Sequence, residues 1–132
     1  MSAPRRAPRA TQSSSPVWGK HLLIDAYGID RAALQNIRSL RRLLRELPAW
    51  LRMRILAKPV TAKVSSPDYP DWGISGFVML YESHISFHTW PEEGYVAMDI
   101  YSCKDFDETE AVAYLKKFFG GGKIRKRVVI RR

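Results

Sequence analysis

The chain has 132 residues, 45% of them hydrophobic and 11% aromatic, and carries a net charge of +9 with a pI near 10.0. That length supports one domain with a modest core and excludes two. No run of 18 or more apolar residues occurs, which excludes a membrane-spanning helix.

Residues 1–17, MSAPRRAPRATQSSSPV, are rich in Pro, Ser, Ala and Arg and lack the apolar stretch of a secretory signal. They are expected to form a disordered basic tail, with residues 18–132 as a single domain. KHLLIDAYGI (20–29) reads as a first strand. Asp30 is placed to cap a helix over RAALQNIRSLRRLLRELP (31–48). Ala33, Leu34, Ile37, Leu40, Leu43, Leu44 and Leu47 recur at three- and four-residue steps, and the arginines fall largely on the other face. Pro48 should end or kink this helix. MRILAKPVTAKV (53–64) suggests a second strand, with Pro59 favouring a sheet edge. SSPDYPDWG (65–73) has loop composition. ISGFVMLY (74–81), HISFHTW (84–90) and YVAMDIYSC (95–103) read as three further strands, the last two joined by PEEG (91–94). KDFDETEAVAYLKKFF (104–119) predicts a second helix capped by Asp105 or Asp107, with Glu108 and Glu110 in its first turn, where the helix dipole favours acids. GGG (120–122) stops it, and KIRKRVVI (123–130) is a final strand.

The order β-α-β-β-β-β-α-β puts four consecutive strands between two helices. Short connections then imply antiparallel pairing. Two helices covering one face give an α+β two-layer sandwich.

The charge is segregated along the chain. Residues 1–63 hold 13 Lys/Arg against 3 Asp/Glu, residues 64–122 hold 3 against 10, and residues 123–132 hold 6 and none. The chemically dense middle is therefore acidic, which repels phosphate and attracts cations. Nucleic acid is not the expected partner, although both ends are basic. The single Cys cannot form an internal disulfide, so a reducing cytoplasm is the expected setting.

Strand interiors usually carry Val, Ile and aromatics. Residues 80–103 instead hold two His, several hydroxyls, four carboxylates and the Cys. The run ESHISFHTWPEEGY, followed by VAMDIYSC and preceded by GISGFVMLY and the entry GKHLLIDAYGID, closely resembles the prokaryotic S-adenosylmethionine decarboxylase proenzymes, a pyruvoyl-dependent family. The resemblance extends from residue 19 to about 118. Segment 48–64 matches poorly, and Tyr69, Glu93 and Lys104 stand where the family commonly has Phe, Tyr and Gly.

The resemblance implies self-cleavage between Glu82 and Ser83. Attack of the serine hydroxyl on the preceding carbonyl would give an ester. Elimination and hydrolysis would leave a pyruvoyl group derived from Ser83. That ketone forms a Schiff base with an amino-acid amine and serves as an electron sink for decarboxylation, as a bound cofactor does elsewhere. By position, His88 matches the histidine needed for processing, Ser75 a serine that supports it, and Cys103 the proton donor to the product carbon. Glu92 matches the ribose-binding acid and Tyr69 the aromatic that stacks on adenine.

Taken singly, these residues are ordinary. A lone His or Cys is more often structural, and His84 is read as structural here. The fixed spacing lifts the others. His84 and His88 lack a third ligand at metal-binding spacing, so no metal is expected. Asp68 and Asp71, which flank Tyr69, suit a guanidinium or ammonium as well as a sulfonium, so arginine or ornithine is the alternative substrate. A non-catalytic relative is the remaining possibility. The resemblance also implies a homodimer, with Tyr69 or other site residues supplied by the second subunit. Strict two-residue alternation puts Ser83 and His88 on opposite sheet faces.

Overall fold

A computed structural model describes residues 16–132. The expected tail, to residue 15, lies outside the described residues. Strand β1 (Gly19–Tyr27) is followed by helices α1 (Arg31–Leu34) and α2 (Ile37–Trp50). Strands β2 (Val60–Ser66), β3 (Tyr69–Leu80), β4 (Ser83–Trp90) and β5 (Tyr95–Ser102) come next, with a 3-10 turn at Pro91–Glu93. Helix α3 (Glu108–Phe119) and strand β6 (Lys123–Arg131) complete the chain. The six strands form one sheet in the order β2-β3-β4-β5-β1-β6, antiparallel throughout.

Alternation along the strands decides which face is covered. Leu22, Ile24, Val78, Ile85, Phe87, Met98 and Ile100 point to one face and are buried there by Leu40, Leu43, Leu44 and Leu47 of α2 and Ala111, Leu115 and Phe119 of α3. Each such Leu, Ile or Phe contributes on the order of 1.5–3 kcal/mol. Gly76 is demanded by this packing. A Cβ there would lie 2.4 Å from the Phe87 ring. The opposite face carries no helix.

The α+β two-layer expectation holds, with local differences. The first helix is broken in two. Asp30 makes no side-chain cap bond, whereas the Asn36 carboxamide accepts from Ser39 N–H at 3.0 Å and starts α2 anew. This is the usual competition of an Asn side chain with helix backbone. Pro48 lies inside α2, in its last turn, and the helix runs to Trp50. Asp107, not Asp105, caps α3. Strand β2 starts at Val60 rather than 53 and does lie at a sheet edge. The expected 65–73 loop is mostly strand. Pairing of Ser66 with Tyr69, after a register shift, extends β3 to its start at Tyr69. Pro70 and Asp71 can sit in this strand because β4 pairs with β3 only from Ser75 onward, so that side of residues 69–73 needs no ladder bonds.

Among the described residues no helix is long and apolar enough to cross a membrane. No group of three or more His, Cys, Asp or Glu among them is arranged to hold a metal ion.

Candidate active site

Strands β3 and β4 are joined through Tyr81 and Glu82 alone, with Leu80 paired to Ser83. Two-residue hairpins that follow the sheet twist need positive φ in the turn itself, which Gly or Asn supplies. Neither Tyr81 nor Glu82 has it. The positive value falls instead on Ser83, at φ +152. A non-glycine residue in such a conformation stores on the order of 1–3 kcal/mol of strain. Glu82 and Ser83 are both buried, and Ser83 faces Ser102 across the β4–β5 ladder. The Glu82 carbonyl accepts a 2.8 Å hydrogen bond from the backbone N–H of Cys103. Glu82, Ser83 and Cys103 are thus brought together at one end of the sheet, around a polarised carbonyl next to a strained serine.

Ser75 and His88 meet elsewhere. They are directly paired across β3–β4, and Ser75 Oγ lies 2.8 Å from His88 Nδ1. Both belong to the helix-free face. With Val64, Asp71, Gly73, Thr89, Trp90, Pro91 and Glu92 they line a cavity of about 220 Å³. Glu92, exposed in the 3-10 turn, therefore shares a cavity with Ser75 and His88. The backbone of Tyr69 opens β3, but its side chain lies outside the described residues. Asp71 is braced from within: its Oδ1 accepts from Gln35 Nε2 at 3.1 Å and from the Arg31 guanidinium.

Ser83 and His88 are not brought together within the chain. The alternation places Ser83 on the helix side and His88 on the open side, as the spacing implies. Five residues of strand at about 3.3 Å each also separate them by roughly 16 Å along β4.

A second polar cluster sits on the open face, between these two groups. Asp99 Oδ2 lies 2.7 Å from His21 Nε2 and 3.5 Å from His84 Nε2, and Asp99 Oδ1 accepts from Ser86. Burial alone would push the Asp99 carboxyl up. The hydrogen bonds from His84, Ser86 and His21 outweigh it and hold the carboxyl well below the usual range. Tyr95 OH donates to Asp25 at 2.5 Å, and this bond, with burial, pushes the phenol up to about 12.

Residues 20–132 match the sequence pattern of the S-adenosylmethionine decarboxylase family. The chain belongs to that family. An S-adenosylmethionine decarboxylase proenzyme of Clostridium botulinum (strain Langeland) is 36% identical over 114 residues, which cover 86% of this chain and 93% of its own. The like-named proenzyme of Sulfurihydrogenibium sp. is 32% identical over 116 residues, covering 86% and 81%. The crystal structure of the adenosylmethionine decarboxylase from Aquifex aeolicus matches with a TM-score of 0.74 at 29% identity, over 87% of this chain and 91% of that one.

Motif reasoning within the S-adenosylmethionine decarboxylase family passed over two charged groups of this region. Asp99 breaks the apolar run of YVAMDIYS at an open-face position, a signal of alternation that could have singled it out together with His21. Arg54 had no signal, because its segment forms neither helix nor strand. It binds Glu82 only through the fold, with Arg54 N–H at 3.0 Å from Oε1 and Nε at 3.3 Å from Oε2.

Proposed function

We propose that this chain is a proenzyme that cuts itself between Glu82 and Ser83 and then decarboxylates S-adenosylmethionine through a pyruvoyl group derived from Ser83. The observation that carries the reading is the Cys103 N–H on the Glu82 carbonyl at 2.8 Å, beside a serine held at φ +152. A preorganised donor on a carbonyl favours the charge that grows there when a nucleophile adds. Backbone strain at the attacking residue disfavours the intact peptide relative to its product.

The steps balance with one water consumed and one ammonia released. Ser83 Oγ adds to the Glu82 carbonyl carbon, the 82–83 C–N bond breaks, and the nitrogen takes the hydroxyl proton. Loss of the Ser83 α-proton then expels the Glu82 carboxylate from Cβ. Water replaces the nitrogen, ammonia leaves, and a ketone remains at residue 83. His88 is the proposed base for the α-proton, with its ring oriented by Ser75. The buried, turn-end position of Ser83 fits a small ketone that must be screened from water. That group supplies the electron sink for decarboxylation. Cys103 returns the proton and lies at the same sheet end. Glu92 is the proposed partner of the ribose hydroxyls and Tyr69 of the adenine.

Because His88 lies about 16 Å along the strand from Ser83, we assign His88 and Ser75 at each site to the second copy of a homodimer. The helix-free face suits that pairing. Phe77, Met79, Trp90 and Val129 expose apolar surface there, as interaction faces do. The cavity of about 220 Å³ beside Ser75 and His88 is also below the roughly 300–1,000 Å³ usual for ligand sites, and a facing sheet would enlarge and close it. The acidic Asp71 does not favour arginine as substrate, since Arg31 already occupies it. A cytoplasmic setting suits the single cysteine, whose thiol must stay reduced to donate.

Intact-mass measurement of the purified protein tests the reading. Cleavage after Glu82 yields fragments of 82 and 50 residues, the second with a keto group that borohydride and an amine trap together. CO2 release from S-adenosylmethionine, with arginine and ornithine as alternatives, tests the substrate. Ser83→Ala should remain a single chain and release none.

A further inference from the structure

The segment that leaves α2 wraps the scissile hairpin. Arg52, at φ +60, turns the chain, and its carbonyl accepts from Lys104 Nζ at 2.7 Å, one residue beyond Cys103. Ile55 then forms an isolated bridge to Leu80. Leu56 N–H donates to the Met79 carbonyl at 2.9 Å, and Tyr81 N–H donates to the Arg54 carbonyl at 3.0 Å. This strap holds the last residues of β3 from outside the sheet and is itself tied to the end of β5. At its centre Arg54 meets both oxygens of the Glu82 carboxylate, one through its backbone N–H and one through its guanidinium. The same guanidinium lies 4.7 Å over the Tyr81 ring. The Glu82 side chain is 9% exposed, so without a counter-charge it would be drawn out toward water.

We propose that Arg54 is a positioning residue for self-cleavage. By holding the Glu82 side chain inward, it fixes residue 82 so that its carbonyl stays on the Cys103 N–H while Ser83 remains strained. Residue 82 is then gripped at its carbonyl by Cys103 and at its carboxylate by Arg54, while the Arg54 carbonyl holds the N–H of Tyr81 just before it. This rests on the reading that the chain cuts itself at residues 82–83. It adds a residue that touches neither the attacking oxygen nor the ketone. Arg54 is 66% exposed, so its charge is partly screened by water. The expected effect is accordingly at the low end for a charge-assisted bond, about tenfold in rate.

The test is a time course of cleavage of freshly translated full-length chain, for wild type, Arg54→Ala and Arg54→Lys, with and without hydroxylamine. Hydroxylamine cuts the ester and so reports its formation independently of elimination. Melting temperatures are taken for the same Arg54 changes on the uncleavable Ser83→Ala background. We expect Arg54→Ala to cut about tenfold more slowly, Arg54→Lys to recover most of the rate, and hydroxylamine to leave the Ala variant slow. An Ala variant that cuts as fast as wild type overturns the proposal. So does full rescue by hydroxylamine, which would place the defect after ester formation. A Lys variant as slow as Ala, with melting temperatures falling in step, overturns it in favour of a purely structural role. A wild-type chain that stays whole removes the cleavage reading itself and this proposal with it. A cut wild type with an unimpaired Ala variant removes this proposal alone.

Discussion

Ser83 carries two burdens that conflict in an ordinary strand. It needs a side chain to react, and it occupies a backbone conformation that glycine adopts most readily. Two uncleavable variants separate them. Ser83→Gly should be more stable than Ser83→Ala by about 1 kcal/mol, because relief of strain exceeds the entropy that glycine adds to the unfolded chain. Urea midpoints measure this, and an Ala variant equal to or above Gly would mean that φ +152 is not strained. Asp99 gives a second test. Its carboxyl titrates lower in the folded chain than its ordinary 3.8. The stability it contributes is therefore complete above about pH 4 and is lost as pH falls through the depressed folded value. Wild type should weaken steeply below pH 4, and Asp99→Asn should be less stable at pH 7 with a flatter acid limb. Parallel acid limbs would remove Asp99 as the cause. At this scale the motif singled out Ser83, His88 and Cys103 as candidates, and the structure brings Ser83 and Cys103 to one sheet end and leaves His88 on the other face. Arg54 was not legible, because its contact with Glu82 depends on where an irregular segment packs.

Strand β4 was the most legible element. Ile85, Phe87 and Thr89 alternate with Ser86, His88 and Trp90, and the structure buries the first set. The same alternation separates Ser83 from His88, so a conflict visible in the sequence was a true property of the fold. The first helix was less legible. Seven apolar residues at helical spacing run through Gln35 and Asn36 without a break, yet the Asn36 cap divides the helix there. Hydrophobic periodicity reports burial, and α1 and α2 both bury their apolar residues, so the period could not see the break. The β3–β4 pairing also explains a glycine that looks arbitrary in ISGFVMLY. Phe87 lies over Gly76, and Gly76→Ala should destabilise the fold by about 1–3 kcal/mol through overpacking. Adding Phe87→Leu should recover part of that loss, so that the double variant is more stable than the sum of the two single effects allows. Strict additivity in a double-mutant cycle would show that the ring and the glycine do not compete for the same space.

The chain holds two groups of candidate site residues and does not bring them together. Glu82, Ser83 and Cys103 cluster where β4 begins and β5 ends, while Ser75, His88 and Glu92 surround a cavity toward the other end of β4. Rearrangement of a six-stranded antiparallel sheet could not close a gap of roughly 16 Å without breaking the ladder that forms it. In the proposed homodimer a second copy closes it, because a two-fold axis brings the Ser75–His88 end of one copy toward the Ser83 end of the other. This geometry makes a sharp demand on mixed dimers. Ser83→Ala retains Ser75 and His88 but cannot be cut, and His88→Ala retains Ser83 but lacks the base. Each alone should stay whole or be cut only slowly. Co-expressed, with one copy carrying a mass tag, they should give cleavage of the His88→Ala chain and none of the Ser83→Ala chain, since the Ser83→Ala copy lends its intact His88 across the interface. Cutting should also disappear when Phe77→Asp, placed on both copies, puts charge into the apolar open face. If the His88→Ala chain stays whole in verified mixed dimers, the base must reach Ser83 within its own protomer. The open face would then need another explanation.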